Sequence, residues 1–224
     1  MTWQLTTFTL LALVLGLGFA WYERTHPSSK VLAMVATLAA LAALGRIAFA
    51  PLPNVKPTTD IVFLTGYVLG GAPGFAVGAL AALSSNLVFG QGPWTPWQMA
   101  AWGLVGIIGA AWAPLTAGRL PRLPTAALLA LCGLLFGALT NLSTLTAAGG
   151  TPSLAQWVAV EAAGLPFDIA HAVGNVAFFL AFGPALVRVL RRYRARLEVR
   201  WTPAPAPAPT PAPPPPAGAA TTIS

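Results

Sequence analysis

The chain is short of charge. Asp, Glu, Lys and Arg make up 8% of its 224 residues, and the acids number five. A soluble globular domain carries about a quarter, so an ordinary soluble domain is excluded. A single cysteine, Cys132, excludes an internal disulfide and a multi-cysteine metal site. Within its apolar run it reads as a small core residue. No G-x-x-x-x-G-K-[ST] sequence occurs, so the chain cannot itself be an ATP-binding subunit. Enzyme chemistry is poorly provided for. Ser84 and Ser85 lack a G-x-S-x-G-like context, and no aspartates are paired for magnesium-dependent prenyl transfer. His26 and His171 fall on opposite sides of the membrane in the topology below, which argues against a metal centre. An internal repeat of broken helices would favour a channel or secondary transporter; the sequence has one broken pair.

What it has in quantity is apolar residues, 56% of the chain. A membrane-spanning helix needs ~20 mostly apolar residues, and several runs qualify. They are continuously apolar, whereas barrel strands alternate over roughly ten residues. The expected fold is therefore an all-α, polytopic membrane helix bundle. Seven helices are expected: Trp3–Tyr22, Val31–Phe49, Asp60–Leu69, Phe75–Phe89, Trp97–Ala117, Thr125–Thr146 and Phe167–Leu190. The third is too short to cross the hydrocarbon at ~1.5 Å per residue. It is expected to start deep, after a loop that folds into the protein. The glycines and proline of Gly70–Gly74 should break the chain before the fourth helix. The Pro/Ala-rich segment 201–224 has little to bury and reads as disordered or polyproline-like.

Basic residues collect on cytoplasmic loops. Arg24 and Lys30 follow the first helix, Arg119 and Arg122 the fifth. Arg188, Arg191, Arg192, Arg194, Arg196 and Arg200 end or follow the seventh. With seven spans these lie on one face, ten against Lys56 and Arg46 on the other. The net charge of +7 is thus a topology signal, and nucleic acid is a poor partner for it. The N-terminus is expected outside and the C-terminus in the cytoplasm, in the plasma membrane. Residues 1–22 lack the basic start and the A-x-A-like site of a cleaved signal, which suits an uncleaved anchor.

Polar chemistry collects at the outer end, in Pro51–Asp60, in the run GQGPWTPWQM from Gly90 to Met99, and in Gly149–Asp168. Asp60, Glu161 and Asp168 are on or near this face. Asp168, His171 and Asn175 share a helix face at i, i+3 and i+7. Intramembrane ionisable groups usually face a cavity. Asp168 also fits a helix-start acid favoured by the dipole, and His171, Asn175, Asn86 and Asn141 also fit interhelical hydrogen bonds. Trp94 and Trp97 form either an interfacial belt or a stacking wall for a flat ligand. Gln91 and Gln98 favour the wall, because a belt needs no amides. Pro93 and Pro96 would restrict this loop and lower its ordering cost. Lys56 could meet an acidic ligand group, but pairing with Asp60 is the favoured expectation. Arg46 is expected to pair with Asp60 or Asp168. Gly66, Gly70, Gly74 and Gly78 recur at small-xxx-small spacing, which Pro73 should divide into two packing faces around a turn. Ala36, Ala40 and Ala39, Ala43 repeat that spacing.

Five segments in order carry a family resemblance: KVLAMVATLAALAALGRIAF, the loop NVKP before a short helix, GYVLGGAPGFAVGAL, SNLVFGQGPWTPWQM, and PFDIAHAVGNVAFFLAFGP. From Lys30 to Arg194 the chain resembles the substrate-binding S component of an energy-coupling factor (ECF) vitamin transporter. The likeness covers roughly three-quarters of the sequence. It implies an extra transmembrane helix and loop at 1–29, a six-helix S-component-like domain at 30–200, and an appended tail at 201–224.

The resemblance implies a subunit that captures a vitamin from outside and docks on a transmembrane coupling subunit with two cytoplasmic ATPases. Toppling within the membrane would release the substrate inside. Such a chain is a binding subunit, not an enzyme, and needs no cofactor or metal of its own. An alanine face on the first family helix docks on the coupling subunit, which implies Ala36, Ala40 and Ala43. The NVKP loop and the PFD-x-x-H-x-x-x-N helix look most like cobalamin-type S components. Riboflavin or another heterocyclic micronutrient is the alternative ligand, and a stand-alone secondary transporter the alternative function. The expected outer pocket centres on Trp94, Trp97 and Gln98, with Asn54 from a neighbouring loop and Asp168 from the last helix. Lys56, Asn86, Gln91, His171 and Asn175 are further candidates for ligand contact.

Overall fold

The computed structural model describes residues 3–148 and 151–197. The Pro/Ala segment 201–224 lies outside the described residues, as do Gly149, Glu198 and Arg200. Among the described residues all regular structure is helical: α1 (Trp3–Arg24), α2 (Ser29–Ala48), α3 (Thr58–Leu69), α4 (Gly71–Phe89), α5 (Thr95–Leu115), α6 (Arg122–Ala148) and α7 (Leu154–Leu197). Six of these helices are long and apolar enough to cross a membrane, and α3, with 12 residues, is the exception. The chain is a multi-pass membrane helix bundle, with α1 packed on its flank against α4, α5 and α6.

Helix α3 is the centre of the bundle. Every residue from Thr58 to Val68 is buried, and α2, α4, α5, α6 and α7 all pack on it. A helix apolar on all sides belongs in a core, and this one is too short to offer a lipid face. Its start is deep. Thr58 Oγ1 donates to Ala42 O at 3.0 Å, six residues before α2 ends, or roughly 9 Å along that helix. The loop from Phe49 to Pro57 therefore dips into the protein, with Val55 against Gly174 of α7 and Pro57 against Gly45 of α2.

One residue joins α3 to α4. Gly70 has φ 102°, a conformation that costs an L side chain and suits glycine. The expected break over Gly70–Gly74 is confined to Gly70. Pro73 falls in the first turn of α4, where its missing N–H has no helical partner to lose. The result is a tight helical hairpin in which a Cβ on Gly74 would lie 2.7 Å from Gly66 Cα. Gly106 of α5 closes the same junction, its backbone against both Gly66 and Gly74. Gly78 meets the Trp102 backbone and Gly109 the Phe63 carbonyl. The small-residue series is thus divided by the turn at Gly70 rather than by Pro73, and the faces on both arms pack on α5.

The lower end of α3 is anchored among the basic residues. Tyr67 Oη donates to Arg119 O at 2.8 Å, Arg194 Nη1 to Val68 O at 2.6 Å, and Arg191 to Gly118 O. These contacts bring the α3–α4 hinge, the α5–α6 turn and the end of α7 together at a basic end. The loops 49–57 and 90–94 lie at the opposite end.

Several boundaries differ from expectation, and two bear on the site: α5 is shifted by two residues and α7 is longer. Helix α5 begins at Thr95, with Pro96 in its first turn, so the loop is only 90–94. Helix α7 begins at Leu154, not Phe167, and runs for 44 residues through Pro166 and Pro184. Membrane helices tolerate such prolines because neighbours satisfy the freed groups. Ser153 and Gln156 start α7 by exchanging bonds, Gln156 N to Ser153 Oγ at 3.2 Å and Ser153 N to Gln156 Oε1 at 2.8 Å. This is a capping box. The polar stretch expected as loop is thus a helical hairpin of α6 and α7, pinned by Asn141 Nδ2 donating to Glu161 Oε2 at 3.1 Å.

Candidate functional site

At the end opposite the basic one, the last turn of α2, the loop 49–57 and the end of α4 enclose a cavity of about 160 Å³. Its walls include Arg46, Phe49, Leu52, Asn54, Lys56 and Phe89. It is a polar cavity in an otherwise apolar molecule.

Arg46 is held by a chain of hydrogen bonds that crosses three helices. Its Nη1 donates to Ser85 Oγ at 2.7 Å and to Asn86 Oδ1 at 2.6 Å. Asn86 Nδ2 donates to Thr95 Oγ1 at 3.0 Å and Gln98 Oε1 at 2.8 Å. Thr95 Oγ1 donates to Gln91 Oε1 at 2.9 Å, and Gln91 Nε2 to Leu83 O at 2.9 Å. Asn86 is fully buried and both ends of its amide are used. A buried amide with every partner in place fixes its rotamer and that of its neighbours. The guanidinium also lies over Phe89, 4.7 Å from the ring centroid, and over Trp102 at 5.2 Å.

Lys56 approaches from the loop. Its Nζ donates to Asn54 Oδ1 at 2.5 Å, and Asn54 Nδ2 donates to Phe167 O at 2.8 Å. Asn54 has φ 59°, which asparagine tolerates better than most residues. The ammonium sits 5.7 Å from the Trp102 ring centroid and 5.4 Å from that of Phe136. Lys56 lies outside the membrane-spanning helices, yet burial pushes its pKa down to about 7, with the charge of Arg46 acting in the same direction and Asp168 opposing.

Trp102 is the shared floor beneath the two cations. It is fully buried and stacks on Phe136 at 4.4 Å with the rings 31° apart. Its Nε1 donates to Thr59 Oγ1 at 3.0 Å, and that hydroxyl lies 2.7 Å from His171 Nε2. Below, Asn175 Nδ2 donates to Leu129 O at 3.0 Å. His171 and Asn175 therefore support the floor rather than line the cavity.

The expected ion pairs of Arg46 and Lys56 do not form. Both cations bond to neutral groups instead. Asp60 is fully buried with neither carboxylate oxygen bonded. Asp168 is 7% exposed and lies against Gly137 of α6.

The structure splits the remaining expected set. Asn54 and Lys56 line the cavity. Asn86, Gln91 and Gln98 form the chain that holds Arg46. Trp94 is 42% exposed and folds over Gly92. Trp97 lines an apolar groove with Leu11, Val14, Phe75 and Leu104 beneath α1, and its Nε1 is buried without a partner. The helical start at Thr95 turns Trp97 toward α1, so neither tryptophan joins Asn54 and Asp168. Of the alanines, Ala36 and Ala40 are exposed on the outer face of α2. Ala43 is buried in the bundle beside Ala39 and Ala42, so it belongs to the inward face.

The residues missing from the expected set are Arg46 and Phe89 in the cavity wall and Ser85 and Trp102 buried behind it. A signal existed for two of them. Arg46 is the only charge within the apolar stretch from Val31 to Phe49, and Ser85 precedes Asn86 directly. The role of Trp102 had no local signal, because its neighbours in space come from α2, α3, α6 and the loop. Comparison of the chain with protein-family models, with curated proteins and with solved structures found no match.

Proposed function

We propose that the chain is a membrane-embedded binding subunit that captures a small molecule from outside the cell, in the manner of an ECF S component. The observation that carries this reading is the polar cavity at the end away from the basic residues. By the positive-inside rule that end faces outward, the N-terminus is outside and the C-terminus is in the cytoplasm. Plasma membrane is the proposed location. Energy would come from partners, a transmembrane coupling subunit and two ATPases. At about 160 Å³ the cavity lies below the roughly 300–1,000 Å³ usual for ligand pockets. Its size argues against cobalamin and favours a smaller heterocyclic micronutrient.

A stand-alone secondary transporter is the second reading. It is favoured by the α3–α4 hairpin, a helix pair broken at Gly70 with Asp60 buried inside it; such pairs mark transporter sites. The two readings differ in energetics. The full chain, purified and stripped of nucleotide, should hold a small molecule that mass spectrometry identifies, and should rebind it without ATP. Binding seen only with ATP and ATPase subunits present would overturn capture by this chain alone. Uptake by the chain reconstituted without partners would favour the second reading.

A further inference from the structure

Two cations share the cavity, and both hydrogen-bond to neutral groups rather than to a carboxylate, although Asp168 acts on the charge of Lys56 from a distance. Arg46 uses only Nη1, for Ser85 and Asn86. A guanidinium has five N–H donors in a planar fork, so Nη2 and Nε are left for the cavity. Lys56 uses one donor of three, toward Asn54. Both side chains are held from behind, Arg46 through buried Asn86 and Lys56 through Asn54 and the Phe167 carbonyl. Helix α4, which supplies Phe89 to the wall, and α5, which supplies Trp102 behind it, contain no ionisable side chain. Glu161 is engaged with Asn141. Two like charges kept close in a partly dry site repel each other, and an anion between them would relieve that repulsion. A fork beside a point donor matches a carboxylate or phosphate.

We propose that this cavity is an oxyanion site, in which Arg46 and Lys56 anchor a carboxylate or phosphate between them. The proposal names the ligand chemistry of the capture site and rests on that reading for the ligand being a micronutrient. The phosphate of an anionic lipid headgroup offers the same chemistry as the acid group of a soluble ligand.

Protonation of Lys56 sets the pH dependence. Burial pushes its pKa down to about 7, so anion binding should be strongest below that pH and weaken as pH rises through it. An anion held beside the ammonium favours the charged form and raises that pKa. The titratable and charged groups on the packed elements are Arg46 on α2, Asp60 on α3, Cys132 on α6, and Asp168 and His171 on α7.

Reductive methylation with labelled formaldehyde reads the site directly, because it needs the neutral amine. The chain has two lysines, Lys56 and the exposed Lys30, so Lys30 is the internal standard. The full chain in phosphatidylcholine nanodiscs would be labelled with benzoate or with its neutral counterpart benzamide. Benzoate should slow methylation of Lys56 several-fold relative to Lys30, and benzamide should not. Arg46→Gln should abolish the benzoate effect and Arg46→Lys should keep part of it. As a second variant, Lys56→Gln should need about tenfold more benzoate to quench tryptophan fluorescence. Protection of Lys56 in phosphatidylglycerol nanodiscs without benzoate would assign the oxyanion to a lipid headgroup. Equal protection by benzamide, or none by either benzoate or phosphatidylglycerol, would overturn the site. So would a Lys56 that never reacts, since the cavity would then be closed. A neutral micronutrient co-purifying without benzoate protection would keep the capture reading and remove the oxyanion. Benzoate protection in a chain that binds no micronutrient would do the reverse.

Discussion

Asn86 carries no charge, yet it determines where a charge points. Its Oδ1 accepts a hydrogen bond from Arg46 while its Nδ2 donates to Thr95 and Gln98. Replacing it with leucine keeps the volume and removes all three bonds. The partners left behind are buried or partly buried, and each unsatisfied group costs about 1–3 kcal/mol. Asn86→Leu should lower the thermal midpoint of the detergent-solubilised chain by several degrees, and should weaken benzoate protection of Lys56. Trp94→Ala and Trp97→Ala should leave that protection unchanged, since neither ring reaches the cavity. A loss of protection in either variant would return the site to the 90–98 segment. At this scale the sequence was half legible. Asn54, Lys56, Asn86 and Gln98 stood out because polar residues are scarce. Their sorting into cavity lining and support depends on side-chain direction, which changed once α5 started at Thr95 instead of Trp97.

At the scale of elements, the decisive feature is how closely α3, α4 and α5 approach. Lipid is as apolar as leucine, so membrane helices associate through packing, and small residues permit backbone contact. A Cβ on Gly66 would collide with the Gly106 carbonyl, and one on Gly106 with the Gly74 backbone. Backbone cannot yield as a side chain tip can. Gly66→Ala and Gly106→Ala should each cost at least the ~1–3 kcal/mol of an overpacked core. Fluorescence-detected size-exclusion chromatography should show loss of the monodisperse peak. Gly16→Ala in α1 is the matched control, because nothing lies within 4 Å of its added carbon; that peak should persist. The element map was legible in existence and order, since long apolar runs carry it. Boundaries were less so. The start of α7 was signalled by Ser153-Leu-Ala-Gln156, whose capping spacing precedes a stretch rich in alanine. Pro166 masked it, because a proline normally argues for a helix end.

At the scale of the whole molecule, α2 presents different alanines to different surroundings. Ala36 and Ala40 face outward, and Ala43 faces the core. Bulky residues at the two kinds of position should separate fold from assembly. Ala43→Leu should destabilise the isolated chain, because no space adjoins a fully packed α2–α4 contact. Ala36→Leu and Ala40→Leu should leave its thermal midpoint and ligand binding intact. If α2 docks on a coupling subunit, the latter two should abolish uptake in cells. Full uptake by both would remove this face from any docking role. Helix α1 belongs to the same account. Only Thr7, Leu11 and Tyr22 of its 22 residues are buried, so it is a peripheral addition to a core built from α2 to α7.

The central position of α3 also constrains how the protein is made. A ribosome delivers helices to the membrane in chain order, and α3 emerges before α5, α6 and α7 exist to surround it. It is too short to cross alone, and it brings Thr58, Thr59 and Asp60 with it. The one-residue hinge at Gly70 lets α3 enter with α4 as a single folded pair, so that the longer helix carries the shorter one in. Until α7 is complete, the pair has an unfinished side, and Thr59 lacks the histidine it meets in the finished bundle. A nascent chain halted after α4 should therefore be more open to degradation than one halted after Leu197, because α7 completes the surroundings of α3.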